Sequence, residues 1–179
     1  MSGEQQAITA SLSRMSFFGG LEEVALGRIA GMLRERRLDR GEVLFREGEF
    51  GRSMYIIQSG TVVMTRAGDS GLNVRMVRLG PGDFFGEMAL IEVQPRSMTV
   101  TAETPAVLLE LTNMDLLRLY QEDLPAYAMI MQNISRELCR RLRRADIRIV
   151  EFADEMGDEV TQIRPAGDLA KVLDPKATG

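Results

Sequence analysis

Residues 79–102 read LGPGDFFGEMALIEVQPRSMTVTA, and the reading of this stretch decides how the rest of the chain is understood. Gly80, Pro81 and Gly82 set a tight turn, and Gly86 opens what reads as a single helical turn, Glu87 to Leu90, between two strands. A glycine in front of a helix N-terminus lets backbone N–H groups approach an anion closely, which makes a cradle for phosphate. Nine residues beyond Glu87, Arg96 adds a fixed fork of donors suited to phosphate oxygens, and Ser97 beside it adds a hydroxyl. Glu87 has the wrong charge for a phosphate, but a carboxylate there suits another task, accepting hydrogen bonds from sugar hydroxyls. Taken alone, a glycine-rich turn with one Glu and one Arg is more often a structural loop with a surface ion pair.

Outward from this stretch, between Asp39 and Thr112, the chain consists of short runs rich in Val, Ile, Leu and Phe separated by glycines. Val43 to Phe45, Ser53 to Gln58, Thr61 to Arg66, Asn73 to Leu79, Thr99 to Ala102 and Ala106 to Leu111 each read as strands. Ser59-Gly60 closes one hairpin and Ala67 to Gly71 another. Many short strands with turn signals between them indicate a β-sandwich, roll or barrel.

Helical patterns flank this β region. Met1 to about Met15 reads as a short helix or peripheral arm. Val24, Leu26, Ile29, Ala30 and Leu33 then recur at helical spacing up to the cluster of Arg34, Arg36 and Arg37. On the other side, Asn113 is placed to cap Met114 to Tyr120, and Asp123 before Leu124-Pro125 is a sound helix start. The helix that follows runs to about Asp154. Tyr127, Met131, Ile134, Leu138, Leu142, Ala145, Ile149 and Phe152 make one apolar seam along it, either as intramolecular core or as a dimer contact that outreaches its own domain. Gly157 is read as its stop, and the last residues as a loosely ordered tail.

Composition narrows the function classes. The 179 residues suffice for one domain with something left over, and 45% apolar with 27% charged residues describes a chain that buries a core. The net charge is −4, and of 22 basic residues only Lys171 and Lys176 are lysines, unlike a uniformly basic nucleic-acid binder. There is no histidine, which removes His metal ligands, Ser-His and Cys-His nucleophiles and the commonest general base at neutral pH. Cys139 is the sole cysteine, and no basic leader or long apolar run stands out, so a cytoplasmic protein without a membrane segment is expected.

Phe85, Gly86, Glu87, Met88, Ala89 and Leu90, followed by Pro95, Arg96, Ser97, Thr99 and Val100, resemble in order the phosphate-binding cassette of the cyclic nucleotide-binding domain family. The resemblance extends over roughly residues 17 to 150 and includes Gly41, Gly48, Gly60, Gly80 and Gly82. It implies an α+β, mainly β fold: an eight-stranded, jelly-roll-like β-roll flanked by N-terminal helices and a long C-terminal helix. The organisation expected is residues 1–16 as an arm or helix, 17–155 as the cyclic nucleotide-binding domain including that helix, and 156–179 as a flexible tail.

By the same resemblance the ligand is a 3′,5′-cyclic nucleotide, cAMP before cGMP, bound for regulation and not turned over. Glu87 would hold the ribose 2′-hydroxyl, Arg96 would pair with the phosphate charge, and the backbone at Gly86, Met88, Ala89 and Ser97 would complete the cradle, with Phe85, at the head of the cassette, also a site residue. Val74 and Met76 would line the base side, and the helix between about Leu138 and Asp146 would close over the base. Met98 departs from the family pattern, which has a small residue there. By strand alternation with Val100 and Ala102 its side chain points inward, where it would either crowd the phosphate or fill core.

About 25 residues follow the long helix without a helix-turn-helix pattern, whereas an independent domain needs roughly 55 to 65. The expectation is therefore a sensor that acts through conformational change on an unidentified protein partner, as a homodimer through the long helix, with no specific DNA binding. The competing reading is a nucleotide-independent protein-interaction scaffold on the same fold. An enzyme is disfavoured, since cupin-like rolls and two-metal hydrolases use His ligands.

Overall fold

The short apolar runs between Val43 and Thr112 form strands of two antiparallel sheets whose apolar faces meet. The structure, a computed structural model, describes residues 3–68, 73–92 and 94–156. The strands are β1 (Arg34–Leu38), β2 (Val43–Phe45), β3 (Ser53–Ser59), β4 (Val62–Ala67), β5 (Asn73–Leu79), β6 (Phe84–Phe85), β7 (Thr99–Ala102) and β8 (Ala106–Thr112). One sheet has the order β1-β8-β3-β6 and the other β2-β7-β4-β5, so the eight-stranded β-roll is observed. Residues two apart share a face: Tyr55 and Ile57, Ala106 and Leu108, and Val100 and Ala102 point into the core between the sheets, joined by Phe45, Val62, Leu79 and Phe85.

The helices are α1 (Gly3–Leu12), α2 (Glu23–Met32), α3 (Met88–Ile91), α4 (Asn113–Glu122) and α5 (Leu124–Met156). The chain divides into two compact units, residues 1–136 and 137–179. In the first, Leu12, Phe17, Ile29, Ile130 and Ile134 are buried. The Phe17 ring meets Phe84 of β6 at 4.6 Å, which fastens the helical layer to the outer face of the first sheet. Asn133 of α5 donates from Nδ2 to the carbonyls of Phe17 (2.8 Å) and Gly19 (2.9 Å), satisfying a buried amide in the same step. In the second unit α5 carries Arg140 and Arg141, both ion-paired to Glu137. Leu142, Ile149 and Phe152 of the expected seam are exposed there. No helix among the described residues is long and apolar enough to cross a membrane.

Two strands escaped the sequence reading. The arginine cluster after α2 is strand β1, paired with β8 from Arg34↔Glu110 to Leu38↔Ala106. Its first four side chains are exposed, so no alternation betrayed it. Strand β6 is two residues long, and both phenylalanines are buried because this sheet is covered on both faces. The α4 cap is also corrected. Thr112, not Asn113, is the N-cap, with a reciprocal capping box to Asp115. Asp123 does cap α5, accepting from Ala126 N at 3.1 Å. Of the expected tail 156–179, Met156 is instead the last residue of α5, and residues 157–179, with the Gly157 stop, and residues 69–71 of the Ala67–Gly71 turn lie outside the described residues.

Candidate functional site

The site begins where β6 ends. Phe85 stacks on Tyr55 with ring centroids 5.6 Å apart, and Gly86 then leaves the strand at φ +80°. That backbone turn favours glycine, and a Cβ at Gly86 would stand 2.8 Å from Arg96 Nη1. Glu87 follows as the N-cap of α3 and is 4% exposed. Ala89 N–H is committed to Gly86 O at 3.2 Å. The N–H groups of Met88 and Ser97 meet no acceptor among the described residues.

Arg96 arrives from the other side, on an irregular segment held by the turn at residues 46–49. Its N–H donates to Glu49 O and its carbonyl accepts from Gly48 N, both at 2.8 Å. The backbone is thus pinned in both directions, and the side chain is directed into the roll with 6% of its surface exposed. The guanidinium lies 4.1 Å from the centroid of the Phe45 ring and 5.9 Å from that of Tyr55. Nη1 donates to Ser53 O at 2.8 Å and to Gly86 O at 3.4 Å, and Nη2 to Ser53 Oγ at 3.5 Å. Burial pulls its pKa down, and the negative charges of Glu110, Glu49 and Glu87 are among the groups that pull it up again.

One edge of the fork remains. Nε–H and the second Nη2 hydrogen have no acceptor among the described residues. Nε is not fully enclosed, since no fully buried side-chain nitrogen or oxygen among the described residues lacks a partner, and Gly51, without a side chain, is the residue beside that edge. The Nε–Nη2 edge is the one that takes an oxyanion in two parallel hydrogen bonds.

Glu87 and Arg96 are the only buried charged residues among those described. Their charges act on one another, since Glu87 is among the groups that hold the Arg96 proton, and no metal-binding cluster of His, Cys, Asp or Glu is found among the described residues. The other expected site residues are less enclosed. Ser97 is exposed, and Val74 and Met76 lie exposed on β5, with Met76 passed over where the register to β4 shifts. Met98 corrects the sequence reading. It precedes β7, which begins at Thr99, and is only half-buried, because strand alternation does not extend into the bend. Leu138 to Asp146, expected over the base, fall in the second unit.

Sequence reading missed Gly51, Ser53, Tyr55 and Phe45, which together house the Arg96 guanidinium. The alternation of Ser53, Tyr55 and Ile57 placed them on one face, and nothing in the sequence tied that face to Arg96.

The sequence profile of the cyclic nucleotide-binding domain matches residues 35–123. A CRP-like cAMP-activated global transcriptional regulator of Mycobacterium tuberculosis is 32% identical over 154 residues, 85% of this chain and 67% of the regulator. A cAMP-dependent protein kinase regulatory subunit of Yarrowia lipolytica is 37% identical over 109 residues, 60% of this chain and 28% of the subunit. The crystal structure of Thermus thermophilus catabolite activator protein superposes with a TM-score of 0.69 at 30% identity, covering 77% of this chain and 63% of that one.

Proposed function

The chain belongs to the cyclic nucleotide-binding domain family, and from that premise we propose that it is a sensor of a 3′,5′-cyclic nucleotide, cAMP in preference to cGMP, which it binds without turnover. The observation that carries this reading is the burial of Glu87 and Arg96, the two charged residues withdrawn from water among those described, on either side of the α3 turn. A cyclic nucleotide has a group of complementary chemistry for each of them. Its phosphate carries one negative charge for the Nε–Nη2 edge of Arg96, and its single free ribose hydroxyl is a donor for the Glu87 carboxylate. The N–H groups of Met88 and Ser97 are placed in the same segment to serve the phosphate oxygens. Val74 and Met76 of β5 are the proposed base contacts. The preference for cAMP is supported by the mycobacterial regulator and the Yarrowia subunit, both named for that ligand.

Binding is proposed to act through conformational change on a protein partner, with the protein a homodimer through the exposed apolar seam of α5. Calorimetry with cAMP and cGMP tests the reading. Micromolar binding of cAMP, weaker for cGMP and lost in Arg96→Ala, is the expected result. Absence of binding by either nucleotide at millimolar concentration overturns it in favour of a nucleotide-independent scaffold.

A further inference from the structure

Beyond the residues assigned to the ligand, a file of polar side chains runs from Arg96 across the inside of the first sheet. Arg96 Nη2 lies 3.5 Å from Ser53 Oγ, which is 3.1 Å from Tyr55 Oη, itself 3.1 Å from Glu110 Oε1. The direction of each hydrogen follows from the two ends, because a guanidinium can only donate and a carboxylate can only accept. Tyr55 must spend its hydroxyl hydrogen on Glu110, so its oxygen accepts from Ser53. The Ser53 hydrogen is then spent too, and the lone pair of Oγ is what faces Arg96. Every donor points the same way, toward Glu110.

We propose that Glu110 and Tyr55 are positioning residues for Arg96: through this one-way chain of hydroxyls they hold Ser53 as an acceptor and so orient the guanidinium with its Nε–Nη2 edge toward the anion. Ser53 serves twice, since its carbonyl takes Nη1 at 2.8 Å while its hydroxyl takes Nη2. With both on one side of the guanidinium, the Nε–Nη2 edge, bordered by Gly51, is the one without a protein acceptor among the described residues. The Tyr55 ring is itself buried, stacked on Phe85 and 5.9 Å from the Arg96 carbon, so its hydroxyl has little freedom to turn elsewhere. Glu110 is free to terminate the chain. Arg34 on β1 is its cross-strand neighbour. Nothing in the cassette sequence contains this device, because its members come from β3 and β8.

The affinity part of the test rests on the nucleotide reading, and a second part does not. Tyr55→Phe breaks the chain, whereas Glu110→Gln keeps an acceptor and removes the charge. Ser53→Ala is the third variant, should Tyr55→Phe fail to fold. In the protein without nucleotide, the side-chain N–H resonance of Arg96, identified by its loss in Arg96→Ala, should shift and exchange faster with solvent in the variants. In calorimetry with cAMP, affinity should fall about three- to tenfold, the worth of one hydrogen bond. Tyr55→Phe should cost more than Glu110→Gln. In an Arg96→Lys background, which lacks the fork, the same substitutions should cost nothing further.

Equal losses in both backgrounds would reduce Tyr55 and Glu110 to packing and overturn the proposal. An Arg96 resonance unmoved in every variant overturns it whatever binds. If the wild type binds no cyclic nucleotide, the functional reading fails and the resonance decides this inference by itself.

Discussion

Gly51 and Arg96 are matched as socket and plug: a Cβ at Gly51 would stand 2.3 Å from Arg96 Nε and 2.4 Å from Nη2. Only glycine leaves the guanidinium its place. Gly51→Ala is expected to push the side chain away from Ser53 O and Gly86 O, costing about 1–3 kcal/mol of stability as those buried acceptors lose their donor. Cyclic nucleotide affinity should fall at least tenfold. Thermal unfolding and calorimetry measure the two effects, and unchanged affinity would detach the Arg96 pose from ligand binding.

Arg96→Ala and Glu87→Gln separate charge from hydrogen bonding. The first leaves a desolvated phosphate without its counter-charge and should weaken cAMP binding by roughly 2–5 kcal/mol. The second keeps one acceptor for the ribose hydroxyl and should weaken it less. Equal affinity of wild type and Arg96→Ala would show that the phosphate binds elsewhere.

Met98→Ala tests the scaffold alternative. A half-buried methionine has less to lose than the roughly 2–5 kcal/mol of a fully buried one, so thermal stability should fall by less than that. In the sensor reading cAMP affinity persists. A wild type without binding beside a Met98→Ala variant with micromolar binding would instead mean that the thioether occupies the phosphate position.

Tyr55 gives a pH signature. Burial is the first cause that raises its phenol above the ordinary value of 10.0, and the Glu110 charge adds to it, while the Ser53 hydrogen bond opposes both. The folded state therefore holds this proton more tightly than the unfolded chain does. Its contribution to stability is full below the unfolded value, about pH 10, and is lost as pH climbs through the higher folded value. Urea unfolding above about pH 10 should show wild-type stability falling more steeply than that of Tyr55→Phe. Parallel slopes would refute the assignment.

The α5 seam predicts an oligomer. Leu142 and Ile149 are 64% and 66% exposed, and glutamate at both should yield monomers if the seam joins two copies. Light scattering reads the mass. A wild type that is monomeric at tens of micromolar would leave these side chains without the proposed contact.

Much of the fold is legible locally because its signals are short in range. Short apolar runs mark β2, β3, β4, β5, β7 and β8, glycines mark the turns, and Asp123 marks the start of α5. Strand β1 was hidden because an edge strand with exposed arginines shows no periodicity, and β6 because two residues are too few. Thr112 displaced Asn113 as a cap through its reciprocal bond with Asp115, and the sequence offers both residues side by side.

By itself the sequence determined the cassette, with the order of Phe85 to Val100 and the pairing of one carboxylate, Glu87, with one arginine, Arg96, across a glycine-led turn. Those features lie within a dozen or so residues of one another, and backbone geometry ties them together. Only the tertiary structure decided what surrounds Arg96. Ser53, 43 residues away, and Glu110 on another strand reach it through the order β8-β3-β6 and the register Tyr55↔Glu110 and Tyr55↔Phe85. Alternation says which residues share a face of a strand. Which faces meet, and at what offset, is set by strand pairing and by the packing of one sheet on the other, where residues far apart in the chain compete for the same interior.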